Sequence, residues 1–98
     1  MSPFSAPLPQ AEKRKLRAKA QTMEATVFVG KNGLSDEFYK ELDHLLDIHG
    51  LVKGKFVQHK EDRKTLAPQI ARSLDAELVT LVGNVFVLHR PKRAVKTP

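Results

Sequence analysis

Residues 27–37 read Val-Phe-Val-Gly-Lys-Asn-Gly-Leu-Ser-Asp-Glu, and this stretch sets how the first half of the chain folds. Its opening run of β-branched and aromatic residues predicts a buried strand, which we place at residues 25–29. Ser35 has the side chain of a helix N-cap, and the two acidic residues after it suit the positive end of a helix dipole. The tetrapeptide Gly30-Lys31-Asn32-Gly33 therefore forms a loop that joins the end of the strand to the N-terminus of the helix.

The helix after this loop is predicted by apolar residues at positions 38, 42, 45 and 46, which share one helical face. Gly50 stands where a helix commonly ends with a residue in the left-handed conformation. A second strand is predicted at residues 51–57. A second helix is expected at about residues 61–73, where Pro68 requires either a helix start two residues before it or a separate lead-in over residues 61–65.

The C-terminal part is predicted to form a β-hairpin. Residues 76–82 and 85–89 are rich in strand-forming residues, and Gly83-Asn84 between them is a signal for a two-residue turn. Near the other end of the chain, the helical pattern of residues 10–23 has only a thin apolar stripe. We therefore expect this helix to rest on the flank of the domain with its basic side outward.

The order of these elements predicts an α/β fold, with an N-terminal helix followed by β-α-β-α-β-β. Strand–helix–strand units predict right-handed crossovers and parallel neighbouring strands, and the closing hairpin adds an antiparallel pair. We expect a four-stranded mixed sheet with the two long helices on one face. Residues 1–9, which contain three prolines, are expected to be a disordered tail, residues 10–92 a single domain and residues 93–98 a basic tail.

The composition excludes several classes of function. The 98 residues suit one domain, and the absence of cysteine removes disulfides, thiolate nucleophiles and sulfur-ligated zinc. The sequence has no HExxH spacing, P-loop or nucleophile elbow, so we expect no enzymatic activity, cofactor, metal or small-molecule substrate. No apolar run reaches the roughly 20 residues that a membrane helix needs, and we expect a cytoplasmic protein without membrane contact. A monomer is the expected state of so small a domain.

Positive charge is concentrated at the two ends of the sequence. The net charge is +6, and residues 1–24 and 89–98 together hold nine of the 17 basic residues but only two acidic ones. The middle, residues 25–88, holds eight basic and nine acidic residues. This partition favours a polyanionic partner, because neutralising phosphates releases condensed counterions; simple solvation of a basic protein is the alternative. The strongest cluster lies in the N-terminal helix and consists of Lys13, Arg14, Lys15, Arg17 and Lys19.

The glycine loop has two interpretations. Glycines lack a Cβ, so a sugar–phosphate backbone can approach the loop closely, and Lys31 adds a mobile charge. KH domains use a GXXG loop to clamp nucleic-acid backbone by related means. Asn-Gly turns are common, however, and the acidic residues at the start of the helix oppose a phosphate seated directly on its N-terminus. Taken alone, the loop is better explained as a structural turn.

The wider sequence resembles a known family. The stretch VFVGKNGLSDEFYKELDHLLDIHGLVKGKF and the later VGNVFVLHRP are similar to the CRM-domain family of small RNA-binding proteins, whose stand-alone bacterial members are YhbY-like. The likeness covers about residues 10–92. It implies a fold similar to the C-terminal domain of translation initiation factor three, without enzymatic activity. It also implies binding of structured RNA, namely ribosomal RNA in precursors of the large ribosomal subunit.

The resemblance and the charge partition together predict the RNA-binding residues. By position, the family's loop, basic strand and terminal arginine fall on the glycine loop, on two lysines of the second strand and on an arginine after the last strand. The charge partition adds cations of the N-terminal helix and of the C-terminal end. The full set is Gly30, Lys31, Asn32, Gly33, Lys13, Arg14, Arg17, Lys53, Lys55, Arg90 and Lys92.

Two residues depart from the family pattern. Gly54 stands where the family usually has a β-branched residue, which should weaken the strand or mark a bulge. His89 replaces the usual tyrosine, so any aromatic stacking there is reduced and depends on pH. The two strand lysines, Lys53 and Lys55, also fit an edge strand that is protected against aggregation.

A rival function is a protein-binding module. In this interpretation the acidic helix over residues 36–47 docks a basic ribosomal or RNA-processing partner. Asp43 and Asp47 lie one turn apart in this helix and are expected to form a solvated acidic face.

Overall fold

The computed structural model describes residues 10–91, so both predicted tails and Lys92 lie outside the described residues. Within this part the secondary structure has the predicted order, and the predicted α/β fold class is confirmed. The elements are α1 Gln10–Gln21, β1 Val27–Val29, α2 Asp36–His49, β2 Leu51–Phe56, a 3-10 turn Lys60–Asp62, α3 Arg63–Ser73, β3 Glu77–Val82 and β4 Val85–His89.

Helix α2 begins and ends at the residues that the sequence predicts. The hydroxyl of Ser35 accepts a hydrogen bond from the amide of Phe38 at 3.2 Å, which satisfies one of the unpaired N–H groups of the first turn. At the other end, Gly50 adopts φ 73° and donates its amide to the carbonyl of Leu46 at 2.9 Å. Both caps are local features, and together they fix the length of the helix.

Helix α3 contains Pro68 in its interior rather than in its first turn. The 3-10 turn leads directly into the helix, which starts at Arg63, so Pro68 is its sixth residue. The helix predicted at about residues 61–73 is therefore present, but neither alternative for Pro68 is right, since the helix does not start near Leu66 and residues 61–65 do not form a separate lead-in. Pro68 is exposed, as is Lys64, whose carbonyl loses its usual partner. Since both residues are exposed, the missing hydrogen bond falls on the solvent-facing side of the helix.

The sheet has the strand order β1-β2-β4-β3. Strands β1 and β2 are parallel, and β4 is antiparallel to both of its neighbours. The connection from β2 to β3 therefore crosses β4, and the parallel neighbours expected from the second strand–helix–strand unit are separated by the last strand of the hairpin. The strands β1, β2 and β3 run in the same direction, so their C-terminal ends lie at the same end of the sheet. The glycine loop, the residues after β2 and the Gly83-Asn84 turn are therefore at this end.

Side chains on the two faces of the sheet belong to two different cores. Helices α2 and α3 pack on one face, as expected, and the larger core there includes Val29, Leu42, Phe56, Ile70 and Phe86. Helix α1 packs on the opposite face rather than on a flank, and the smaller core there consists of Ala20, Leu51, Val79 and Val87. No helix among residues 10–91 is long and apolar enough to cross a bilayer.

Gly54 does not weaken or distort its strand. The pairing of β2 with β4 runs without interruption through Gly54 and Phe86, which lie opposite each other. A Cβ at position 54 would overlap the ring of Phe86, whose centroid lies 5.3 Å from that of Phe56. The glycine therefore makes room for an aromatic pair in the core. The bulge of the sheet lies instead in β3, between Leu78 and Thr80.

Candidate nucleic-acid interface

The glycine loop forms a tight turn between β1 and α2. The amide of Gly33 donates to the carbonyl of Gly30 at 3.0 Å, and Gly33 adopts φ 64°, a conformation that favours glycine. A Cβ built at Gly30 meets no atom within 4 Å, so the space above the backbone there is open. Lys31 and Asn32 at the tip are exposed. The loop thus has the side-chain-poor, accessible backbone that a phosphodiester chain requires.

The neighbouring connection between β2 and α3 supports this loop. The amides of Val57 and Gln58 both donate to the carbonyl of Val29 at 3.0 Å, just before the loop begins. His59, in the left-handed conformation at φ 57°, places its Nε2 3.4 Å from the carbonyl oxygen of Lys31. Residues 57–59 therefore support the backbone of the loop. The side chain of Lys31 has no hydrogen bond or ion pair within residues 10–91.

Acidic side chains flank one side of the loop. Glu37 and Glu41 of α2 line a shallow pocket of about 300 Å³ together with the loop, Phe28 and Phe38. Carboxylates at this position repel a phosphate that would sit on the helix N-terminus. Phe28 lines the same pocket, so an anionic ligand is favoured beyond Phe28, on the side of the sheet where Lys55 and α1 lie.

Beyond Phe28, the pairing of the strands places four residues side by side. Phe28 pairs with Lys55, Lys55 pairs with Val85, and Val85 pairs with Val82. Because alternate side chains share a face, all four are on the side of the sheet that α1 occupies. Phe28 is 53% exposed and Val82 is 70% exposed. We call this set of residues, Phe28, Lys55, Val85 and Val82, the exposed row.

Two lysines hold α1 against the sheet. Lys53 Nζ donates to the carbonyls of Ala20 at 3.1 Å and Met23 at 3.0 Å, so it closes the C-terminal end of α1. Lys13 Nζ lies 3.7 Å from Glu77 Oε2 at the start of β3. Both lysines belong to the predicted RNA-binding set. The structure instead gives them partners within the protein, and two of the three donors of Lys53 are already used.

The outward side of α1 carries cations that remain accessible. Arg14, Lys15 and Lys19 are exposed. Arg17 lies one turn after Arg14 and lines a groove between α1 and the exposed row. The residues that line this groove include no carboxylate; they are Arg17, Ala20, Gln21, Lys53, Thr80, Val82, Val85 and Val87. We call it the α1 groove.

Arg90 does not belong to this surface, and its prediction as an RNA contact is wrong. The residue is 1% exposed. Its Nη1 donates to Asp43 Oδ1 at 2.7 Å and to the carbonyl of Leu74 at 2.8 Å. Its Nη2 donates to the carbonyl of Asp43 at 2.8 Å and to Asp47 Oδ1 at 3.0 Å. The guanidinium therefore ties the end of β4 to α2 and to the end of α3.

Asp43 and Asp47, the two aspartates that bind Arg90, differ from their predicted role as a solvated acidic face. We expected Asp43 and Asp47 to form a solvated face; their side chains are 50% and 27% exposed, but each also accepts a hydrogen bond from the buried guanidinium. Their spacing of one helical turn suits the two arms of an arginine, which is the signal in the sequence that points to this contact. The C-terminal basic patch thereby loses Arg90, and its other predicted member, Lys92, lies outside the described residues.

The side chain of His89 also makes a structural hydrogen bond within the domain. Its Nδ1 lies 2.9 Å from the carbonyl oxygen of Gly50, a geometry in which the ring nitrogen donates. The partly buried imidazole thus supports the junction between α2 and β2. Of the predicted set, the structure brings Arg14, Arg17 and Lys55 to the α1 side of the sheet and sets the glycine loop beside them through Phe28.

Phe28 is the residue of this surface that the sequence prediction missed. It is the middle residue of a three-residue strand whose neighbours, Val27 and Val29, are buried. Strict alternation in the sequence would have placed its ring on the other face of the sheet. The prediction of a buried strand over residues 25–29 takes every residue of the run as buried and therefore leaves out this exposed aromatic side chain.

Comparison with known proteins identifies the family. Residues 8–90 match the family model described as the CRS1 / YhbY (CRM) domain. The chain is 42% identical over 87 residues to "Probable RNA-binding protein MJ0652" of Methanocaldococcus jannaschii, covering 86% of this chain and 64% of that protein. It is 30% identical over 86 residues to "Probable RNA-binding protein YqeI" of Bacillus subtilis, covering 87% and 90%.

A solved structure has the same fold. The solution structure of the hypothetical protein SAV1595 from Staphylococcus aureus superimposes with a TM-score of 0.76 at 29% identity, covering 91% of this chain and 94% of the other. The chain therefore belongs to the CRS1/YhbY (CRM) domain family, as its sequence resemblance predicts. CRM domains are non-enzymatic, which confirms the expectation that this chain is not an enzyme.

Proposed function

We propose that this protein binds structured RNA through the α1 side of its sheet and the glycine loop. The observation that carries the proposal is the arrangement of accessible cations around an open backbone turn. Arg14, Arg17 and Lys55 lie on one side of the sheet, and Phe28 connects Lys55 to the loop through its strand pairing and the shallow pocket. The names of the archaeal and Bacillus relatives as RNA-binding proteins support the same partner.

The geometry favours recognition of RNA backbone and shape. The cations of α1 supply long-range attraction for phosphates, because neutralising each phosphate releases condensed counterions. The open side of the turn at Gly30 lets a sugar–phosphate chain approach the protein backbone, and Lys31 at the tip adds a charge with no partner within residues 10–91. Glu37 and Glu41 line the pocket between the loop and Phe28, so they disfavour phosphates in that pocket and leave the α1 side of the sheet for the RNA backbone.

The target that we propose is ribosomal RNA in precursors of the large ribosomal subunit, on the strength of the family resemblance. We place the protein in the cytoplasm as a monomer. Crosslinking in cells followed by sequencing of the attached RNA tests this target. We expect crosslinks concentrated in precursors of large-subunit ribosomal RNA, with reads that end near contacts of Lys31 or α1. Crosslinks spread over messenger RNA in proportion to its abundance contradict the ribosomal target.

RNA binding itself is tested with purified protein and a labelled RNA hairpin. We expect Lys31→Ala and Lys55→Ala to weaken binding, because both remove exposed cations beside the proposed path of the backbone. Lys40→Ala is the matched control, since Lys40 is equally an exposed lysine but lies on α2, on the other side of the sheet. Equal affinities for all three variants and the wild type contradict the proposed surface.

The protein-binding alternative retains less support. Two of the acidic residues on which it depended, Asp43 and Asp47, hold Arg90 in place. The exposed residues of α2 carry both signs of charge and one apolar side chain; they are Asp36, Glu37, Lys40, Glu41, His44, Ile48 and His49. Such a mixed face is typical of a solvated helix and favours no basic partner.

A further inference from the structure

The exposed row is a part of the sheet that α1 leaves uncovered. Helix α1 covers the sheet through Ala20, which packs against Leu51, Val79 and Val87. It does not extend over the neighbouring end of the strands, where Phe28, at 53%, and Val82, at 70%, are more than half exposed. Single exposed apolar residues are ordinary on protein surfaces, but here three of the four side chains that lie side by side are apolar. The fourth is Lys55.

The surroundings of the exposed row define the chemistry of what can cover it. Arg17 and Lys53 line the α1 groove together with Val82 and Val85, and no carboxylate lines it. At the other end of the row, Phe28 borders the pocket of the glycine loop, which Lys31 lines together with the carboxylates of Glu37 and Glu41. A ligand for this surface therefore needs a flat apolar part for Phe28 and the valines, with its negative charge near Arg17, Lys53 and Lys55 and away from the two carboxylates.

We propose that the exposed row binds an unpaired nucleotide, whose base stacks on Phe28 while its flanking phosphates lie against Lys55 and Arg17. This inference rests on the proposed RNA-binding function and adds to it a specific class of substrate, structured RNA with an unpaired base next to a helix. Stacking of a base on an exposed aromatic ring tolerates every base, because each has a π-face. The glycine loop holds the adjoining backbone.

Another copy of this chain fits the exposed row less well. A twofold symmetric contact through this face would set Arg17 and Lys55 of one copy close to the same cations of the other. Like charges brought together in this way oppose association, whereas the phosphates of RNA neutralise them. Charge complementarity therefore selects a polyanion with an aromatic part.

The first test compares three RNA hairpins of one sequence. One is blunt, one carries a short single-stranded adenosine extension, and one carries the same extension with abasic sugars. The abasic extension has the phosphates without the bases. We expect the wild-type protein to prefer the adenosine extension to the abasic one. Replacing Phe28 with leucine keeps an apolar side chain but removes the ring, and it should lower the affinity for the adenosine extension by about 5- to 150-fold.

The same variant should lower the affinity for the blunt and abasic hairpins far less than that for the adenosine extension, and Phe28→Tyr should keep the preference for bases. Equal wild-type affinities for the adenosine and abasic extensions overturn the stacking proposal, while binding of the blunt hairpin leaves RNA binding intact. If the wild-type protein binds none of the three hairpins at low salt, the proposed function is overturned as well. The proposal is also overturned if the wild-type protein shows no preference for bases but self-associates, and Phe28→Leu abolishes this self-association.

A second test uses fluorescence, because the chain contains no tryptophan. A single tryptophan introduced by Phe28→Trp should be quenched when the adenosine extension binds and should keep its intensity with the abasic one. The matched control is Ile48→Trp, since Ile48 is 47% exposed but lies on α2, on the other side of the sheet. Quenching at both positions, or at neither, contradicts a base seated on Phe28.

Discussion

The guanidinium of Arg90 lies 2.7 Å from the carboxylate of Asp43, although the two residues are 47 positions apart in the sequence. Arg90 is 1% exposed, and its guanidinium makes three further hydrogen bonds, to Asp47 and to the carbonyls of Asp43 and Leu74. The contact joins the end of the last strand to α2 and α3. A residue that looked like part of a basic patch is thus a structural clamp.

Loss of this clamp should destabilise the fold severely. Arg90→Met removes the buried cation but keeps an apolar stem, and it leaves the carbonyl of Leu74 without its partner. Removing one member of a fully buried charge pair typically costs about 3–5 kcal/mol in the free energy of unfolding, and the 50% and 27% exposure of the Asp43 and Asp47 side chains sets the expected cost at the lower end of this range. We expect a loss of this order in urea denaturation.

The control for Arg90 is Arg14→Met, which replaces an exposed arginine of α1. We expect its free energy of unfolding to stay within about 0.5 kcal/mol of the wild type, as for most surface substitutions. A similar stability for the two variants would show that Arg90 is not clamped in solution.

Gly54 and Phe86 should behave as a coupled pair. A methyl group at position 54 overlaps the ring of Phe86, so Gly54→Ala should lower the free energy of unfolding by about 1–3 kcal/mol, as overpacking of cores does. Phe86→Leu in the same chain removes the ring that the methyl group meets. The double variant should therefore lose less stability than the sum of the two single changes, measured by urea denaturation. Strict additivity contradicts the predicted overlap.

The two lysines of β2 should separate docking of α1 from RNA binding. Lys53→Met removes the donors to Ala20 and Met23, so hydrogen exchange of the α1 amides should become faster. Lys55→Met removes an exposed cation that holds no part of α1. It should leave exchange in α1 unchanged and weaken RNA binding. If both variants accelerate exchange equally, the role of Lys53 at the end of α1 is wrong.

The open side of the glycine loop gives a steric test. A Cβ at Gly30 meets nothing within 4 Å, so Gly30→Val should change the free energy of unfolding by no more than about 0.5 kcal/mol. Its branched side chain fills the space that we assign to RNA backbone, and the affinity for an RNA hairpin should fall. Thr65→Val on the exposed side of α3 is the control and should bind as the wild type does. Unchanged affinity for Gly30→Val excludes close backbone approach at this turn.

Features that depend on a few neighbouring residues were predictable from the sequence. The cap at Ser35, the left-handed Gly50 and the Gly83-Asn84 turn each follow from the preferences of single residues, and the structure has all three. The order of elements followed from these signals and from the periodicity between them. Fold class and family were therefore accessible without coordinates.

Features that depend on contacts between residues far apart in the sequence were not predictable from it. The position of β4 between β2 and β3 is set by which strand edges meet, and local propensity does not encode it. The same holds for Arg90, whose charge looks identical in the sequence whether it faces solvent or two aspartates across the core. Exposure of Phe28 likewise depends on how far α1 extends over the sheet.

The salt dependence of RNA binding tests the central claim most directly. Each phosphate contact adds about 0.7–0.9 to the slope of log affinity against log salt concentration. Replacing Arg14, Lys15 and Lys19 of α1 with glutamine should lower the slope for a hairpin RNA by about 2–3. The control removes the same charge from the other side of the sheet by Lys40→Gln, Lys64→Gln and Arg72→Gln, and it should leave the slope unchanged. Equal slopes for the two triple variants would contradict an RNA-binding surface on α1.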